Sequence, residues 1–154
     1  MRDSSTRAYR PKTHRGGEAS VLMNMQEMST AAQYRLPVKI FILNNQYMGM
    51  VRQWQELLHG GRYSESYTES LPDFVKLAEA YGARGIRCAD PADLDAAIRE
   101  MIDAPGAVIF DCLVDQKENC FPMIPSGAAH NEMILGPDQE SRTAGITDEG
   151  LVLV

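Results

Sequence analysis

Apolar residues recur three or four apart over residues 21–34, at Leu22, Met25, Met28 and Ala32, which predicts an amphipathic helix with Ser20 as its N-cap. Leu36-Pro37 ends it, because the residue before a proline is steered away from helical geometry. The period then changes. Val38, Ile40, Phe41, Ile42 and Leu43 make a β-branched and aromatic run interrupted only by Lys39, the pattern of a buried strand. Asn44-Asn45 stops that strand. A second helix is expected over residues 50–58, with Met50, Trp54, Leu57 and Leu58 as its apolar face and His59-Gly60-Gly61 as its break. Pro72 opens a third, striped by Phe74, Leu77, Ala78 and Tyr81 and closed by Gly82. A short strand is expected over 85–88. Asp90-Pro91 then starts a fourth helix as N-cap and first residue, with Leu94, Ala97, Ile98 and Met101 inward, and residues 107–114 make the last strand.

Strands alternating with helices of this length predict an α/β fold, a three-layer sandwich in which helices cover both faces of a parallel sheet. From Asp115 onward the chain is rich in Pro, Gly and polar residues. That composition predicts an extended segment ending in a flexible, disordered tail over 136–154.

At 154 residues the chain has the length of one domain, with 44% hydrophobic and 23% charged residues, a globular balance. No apolar run approaches the roughly 20 residues that span a bilayer, so no membrane partner is expected. The net charge of −6 is uneven. Residues 1–16 carry Arg2, Arg7, Arg10, Lys12 and Arg15 against Asp3, which leaves 10 basic and 20 acidic side chains beyond them. An acidic body excludes nucleic acid as the expected partner. Residues 1–16 have no apolar run. They read as a basic, disordered leader that supplies no strand, superficially like a transit peptide or else an aberrant start. Cys88, Cys112 and Cys120 are odd in number and share no C-x-x-C spacing, which suits reduced thiols and a cytoplasmic setting.

In an open parallel sheet, ligands bind beyond the carboxyl ends of the strands. Two candidate ends carry suitable chemistry: Gly16-Gly17-Glu18-Ala19-Ser20 before a helix, and Asn44-Asn45 after the best strand. Small residues let backbone N–H groups approach an anion. A carboxylate and a carboxamide are hard oxygen donors suited to Mg²⁺. Alone, each segment is ordinary turn chemistry. Their separation, 27 residues from Glu18 to Asn45 with one helix and one strand between, brings neighbouring strand ends together.

Gly17-Glu18-Ala19-Ser20 followed by Asn44-Asn45 resembles the cofactor motif of thiamine diphosphate enzymes. Met25-Gln26-Glu27-Met28-Ser29-Thr30-Ala31, Leu36-Pro37-Val38-Lys39-Ile40-Phe41-Ile42-Leu43-Asn44-Asn45 and Gly49-Met50-Val51-Arg52-Gln53-Trp54-Gln55 are similar to the acetolactate synthase family, as are Leu71-Pro72-Asp73-Phe74 and Phe121-Pro122-Met123-Ile124-Pro125. The similarity covers residues 17–135. It implies the thiamine diphosphate-binding fold, truncated at its N-terminal side, with a C-terminal cofactor domain over 17–135.

The resemblance implies specific roles. Glu18, Asn45 and the Tyr47 carbonyl would hold Mg²⁺. Gly17, Ala19 and Ser20 would meet the diphosphate of thiamine diphosphate, and Met48, Gly49 and Met50 would pack against that cofactor. Met50, Val51 and Trp54 would line the substrate channel, Trp54 being otherwise a core anchor of its helix. The family condenses pyruvate with a second 2-oxo acid, losing CO₂, in branched-chain amino-acid biosynthesis. Its members are homo-oligomers, some with a regulatory subunit, and carry FAD mostly on domains with no counterpart here. Three departures stand out: Glu18 where the family has Asp, no apolar strand before Gly17, and no counterpart of the domain whose glutamate activates the cofactor. No catalytic residue is therefore assigned in this chain. Two alternatives accompany this reading: a non-catalytic fragment, and another thiamine diphosphate-dependent decarboxylase or ligase.

Overall fold

The computed structural model describes residues 12–137. Within them lie strands β1 (Lys12–Gly17), β2 (Val38–Asn44), β3 (Arg84–Cys88) and β4 (Val108–Leu113). The helices are α1 (Glu18–Leu22), α2 (Glu27–Gln33), α3 (Gly49–Leu58), α4 (Phe74–Ala80) and α5 (Leu94–Asp103). All strand pairings are parallel, in the order β1-β2-β4-β3. The chain forms two compact units. One comprises the described residues through Asn45 together with Ser70–Val114, and the other comprises Gln46–Glu69 together with the described residues from Asp115 on.

In the first unit, alternation along the strands sends side chains to opposite faces. Ile42 and Ile109 pack with Val21, Met28, Phe74 and Ala78, so α1, α2 and α4 cover one face. Val108, Phe110 and Cys112 pack with Ile86, Cys88 and Met101, joined by Leu94, Ala97 and Ile98, so α5 covers the other. These are the three layers. Phe41 meets Phe110 edge to face, with ring centroids 4.6 Å apart. Gly85 is dictated by packing: a Cβ there would lie 2.6 Å from the Val75 Cα, so only glycine lets α4 settle onto β3. Cys88 and Cys112 are buried and unbridged, in keeping with reduced thiols.

Three features differ from the sequence expectation. Residues 12–16, read as leader, belong to a strand. β1 is mostly exposed yet pairs with β2 from Lys12↔Val38 to Gly17↔Leu43. An edge strand is held by its backbone ladder and needs no apolar side chains, which is why its pattern hides it. β2 is therefore paired on this side by a segment expected to supply no strand; residues 1–11 of the leader lie outside the described residues. Second, the helix over 21–34 is two short helices joined by a turn, and α1 begins at Glu18, so Ser20 sits inside it and Gly17 takes the N-cap position. Third, Lys39 is buried in mid-sheet. Its ammonium donates to the Ala104 and Gly106 carbonyls at 2.5 and 2.6 Å, closing the carboxyl end of α5. Burial holds its pKa below the ordinary lysine value.

The second unit contains α3 and the segment beyond Asp115. That segment is not featureless: Met123 and Ile134 are buried and pair antiparallel, N–H to carbonyl both ways, at 2.9 and 2.7 Å. Of the tail over 136–154, residues past 137 lie outside the described residues. Among the described residues no helix is long and apolar enough to cross a membrane.

Candidate functional site

The register pair Gly17↔Leu43 fixes the geometry of the two strand ends named by the sequence. The chain leaves β1 at Glu18 and leaves β2 at Asn45, at the carboxyl edge of adjacent strands. Glu18 is 1% exposed although it stands in the first turn of a five-residue helix, and Asn45 is half-buried. The Gly17 α-carbon faces open space, where an added side chain would meet nothing within 4 Å, so its backbone is approachable. Ala19 follows half-buried and Ser20 exposed.

Next to Asn45, a polar chain crosses the sheet on the α4 face. Asn44 Nδ2 donates to Asp111 Oδ1 at 2.9 Å, and Arg87 Nε donates to Asp111 Oδ2 at 2.9 Å. The Arg87 guanidinium also donates to Asp73 Oδ1 at 3.1 Å, and that oxygen caps α4 by accepting from the Val75 and Lys76 N–H groups. Asp111 is 1% exposed and shares its two oxygens between Asn44 and Arg87. Its hydrogen bond is the main cause that raises the Arg87 pKa, against an opposing effect of burial. The Asp73 carboxyl is held below the ordinary value, chiefly by the Lys76 N–H.

The remaining expected residues lie in the second unit. Gln46 turns the chain with φ of 60°, a left-handed conformation uncommon for a residue with a side chain. Tyr47 pairs with Tyr67 through bonds made by its neighbours: Met48 N–H donates to the Ser66 carbonyl and Thr68 N–H to the Gln46 carbonyl, both at 2.8 Å. On α3 the expected apolar stripe is not the most buried side: Met50 and Trp54 are exposed, and Leu57 and Leu58 are half-buried. Arg52 and Gln53 are buried, while Met50, Val51 and Trp54 are exposed, Trp54 at 38%. Trp54 is therefore no core anchor. The cause is a set of polar contacts along the inward side. Arg52 pairs with Glu56 and donates to the Lys117 carbonyl and Asn119 Oδ1. Gln53 donates to the Cys120 carbonyl at 3.0 Å and accepts from the Cys120 N–H at 2.7 Å. Met48, Met50, Val51 and Trp54 are left as an exposed apolar group on that unit.

No described trio of His, Cys, Asp or Glu side chains is arranged to hold a metal. The donors at the strand ends are instead one carboxylate and one carboxamide, with backbone N–H groups beside them. That set suits a hard cation that takes its other oxygens from a phosphate ligand. A cavity of about 530 Å³ lies elsewhere, at the amino ends of the strands, lined by Met28, Ala31, Leu36, Tyr81 and Ala107. It shares no residue with this site.

Sequence reasoning missed Asp111, Arg87 and Asp73, along with the inward roles of Arg52 and Gln53. Asp111 carried a usable signal: a lone carboxylate inside the otherwise apolar run Val108–Leu113 needs a partner to be buried there.

This strand-end arrangement on a three-layer parallel sheet defines a cofactor-domain class, and comparison agrees. The profile "Thiamine pyrophosphate enzyme, C-terminal TPP binding domain" matches residues 8–112, and the chain belongs to that family. Curated relatives include acetolactate synthase large subunits. The one from Haemophilus influenzae is 49% identical over 125 residues, covering 80% of this chain and 22% of the relative. That of Pyropia yezoensis is 50% identical over 119 residues, covering 77% and 20%. Isozyme 3 from Escherichia coli is 44% identical over 128 residues, covering 81% and 22%. The chain thus spans about a fifth of the length of these relatives. Among solved structures, a thiamine diphosphate-dependent 4-hydroxybenzoylformate decarboxylase of Rhodococcus jostii superposes with a TM-score of 0.61 at 30% identity, covering 67% of this chain and 19% of that one. Benzoylformate decarboxylase of Polynucleobacter necessarius shares the fold, with a TM-score of 0.65 at 23% identity, covering 73% and 21%.

Proposed function

We propose that this chain is the diphosphate- and Mg²⁺-binding portion of an acetolactate synthase large subunit, an enzyme that condenses pyruvate with a second 2-oxo acid with loss of CO₂ in branched-chain amino-acid biosynthesis. The observation that supports it most is the adjacency of Glu18 and Asn45 at the ends of paired parallel strands, beside the open backbone of Gly17. Glu18 and Asn45, with the Tyr47 carbonyl, hold the cation. Gly17, Ala19 and Ser20 meet the diphosphate through N–H groups and hydroxyl. Met48, Gly49 and Met50 pack against the cofactor, and Met50, Val51 and Trp54 offer apolar surface to the substrates.

When bound, thiamine diphosphate supplies the carbanion chemistry, and the protein's task is to anchor and orient it. The proton-transfer group and the FAD contacts come from other parts of the longer enzyme, and partner subunits complete the assembly in the cytoplasm. A polypeptide of these 154 residues alone therefore binds without turnover. Loss of a positioned proton-transfer group typically costs about 10²–10⁴ in rate.

Titration calorimetry of thiamine diphosphate with and without Mg²⁺ tests the reading. Binding should require Mg²⁺ and should weaken in Glu18→Ala and Asn45→Ala, with no acetolactate formed from pyruvate. Equal affinities in all three proteins would remove the proposed site. Steady turnover by the isolated chain would require a catalytic base not identified among these residues.

A further inference from the structure

The polar chain across β2, β4 and β3 has a cost to explain. A carboxylate 1% exposed in the middle of a sheet is expensive to bury, and Asp111, in register with Ile42, takes a strand position where an apolar residue would cost less. Both its oxygens are engaged, one by Asn44 and one by Arg87. Asn44 is pinned twice: its side chain by Asp111, and its carbonyl by the Val114 N–H at 3.0 Å. The following residue is Asn45.

We propose that Asp111 is a positioning residue for the cation site. By holding Asn44 from the sheet interior, with Arg87 fixing its own orientation, it sets the backbone where β2 ends and so the direction of the Asn45 carboxamide. This inference rests on the function proposed above for Asn45. The mechanism is geometric. Successive side chains along a strand point to opposite sides, so anchoring Asn44 inward commits the next side chain outward. Groups that orient a metal ligand from behind typically contribute about 10–100-fold to metal affinity. Arg87 is itself held by Asp73 at the start of α4, so the strand end is referenced to a helix and to three strands.

The test uses the whole chain in four forms: parent, Asp111→Ala, Asn44→Ala and the double variant, with Met101→Ala as a control destabilised on the opposite face of the sheet. Two readouts are taken. Without cofactor, the side-chain amide resonances of Asn45 should be dispersed in the parent and should collapse toward those of a freely rotating carboxamide in Asp111→Ala and Asn44→Ala, but not in Met101→Ala. With thiamine diphosphate, each single variant should weaken Mg²⁺-dependent binding about tenfold or more, and the double variant no further, because both break one link. An Asn45 signal unchanged in Asn44→Ala and Asp111→Ala overturns the inference. So do losses that multiply in the double variant, or that Met101→Ala reproduces. If Asp111→Ala fails to fold, Asn44→Ala carries the same test with the Asp111–Arg87 pair intact. If the parent binds no thiamine diphosphate, the proposed function fails while the resonance readout still decides whether Asp111 orients Asn45.

Discussion

Asn44, the last residue of β2, and Asp111, within β4, are joined through a 2.9 Å hydrogen bond between side chains that are both buried. The Asn44-Asn45 pair thereby divides its work. The first asparagine is spent on the interior of the sheet, and the second stands at the strand end beside Glu18. The same bond links the site to Arg87 and to Asp73, whose carboxylate caps α4.

That link has a pH signature. The Asp73 carboxyl is held below its ordinary value by the Lys76 N–H, with smaller help from Arg87. A group with a depressed folded pKa stabilises fully above its unfolded pKa, about 3.9, and the contribution disappears as pH falls through the folded value. Urea midpoints of the parent should therefore drop as pH falls below about 4. Asp73→Ala should be less stable at pH 6 and show a shallower drop. Parallel curves for the two proteins would mean that the cap contributes nothing.

Glu18 stands where the resembled family has aspartate, one methylene longer. Mg²⁺ requires oxygen at about 2.0–2.1 Å and tolerates misplacement poorly. Shortening the side chain should improve the fit. Glu18→Asp is expected to bind thiamine diphosphate with Mg²⁺ roughly threefold tighter than the parent by calorimetry, a modest gain on the affinity scale. Weaker binding would show that the buried glutamate is matched to its own site.

Much of this was legible in the chain, and the misses have physical causes. Helices α4 and α5 and strands β2 to β4 follow from periodicity because each faces a core on a defined side. Asp90 accepts from the Ala92 N–H at 2.9 Å as its cap position requires. β1 was hidden because an exposed edge strand is specified by its neighbour's backbone and carries no alternation of its own. Lys39 looked like a flaw in an apolar run, whereas its ammonium satisfies carbonyls 65 and 67 residues away, a distance no local pattern reports. That Glu18 and Asn45 stand at adjacent strand ends was legible because the segment between them returns as a neighbouring parallel strand. The place of Asp111 was not, because its partners come from two other strands.

Gly85 provides a test of the packing. Its missing Cβ is occupied by α4: Val75 Cα, O and Cγ1 would lie 2.6, 2.7 and 2.8 Å away, and backbone cannot yield as a side-chain tip can. Gly85→Ala should cost about 1–3 kcal/mol, the usual range for overpacking, measured by urea unfolding. A neutral or stabilising result would mean that α4 can shift off β3 without loss.

Helix α3 gives the sharpest contrast with the sequence pattern, its expected stripe having Met50 and Trp54 exposed and Leu57 and Leu58 half-buried. A helix with Met50, Trp54, Leu57 and Leu58 aligned would ordinarily bury them, and truncating the tryptophan would then cost several kcal/mol. Here Trp54, the chain's single tryptophan, is 38% exposed, while Gln53 is 2% exposed and exchanges two hydrogen bonds with Cys120. Trp54→Leu should therefore change stability by less than about 1 kcal/mol, as for other surface sites. Gln53→Leu should cost about 1–3 kcal/mol, because it leaves the Cys120 N–H and carbonyl without their partner. Fluorescence provides an independent check. Emission of the parent should be red-shifted and open to acrylamide quenching. A blue-shifted, unquenchable tryptophan, together with a Trp54→Leu variant less stable than Gln53→Leu, would restore the ordinary orientation of the helix and remove the apolar surface on which the substrate-channel assignment of Met50, Val51 and Trp54 depends.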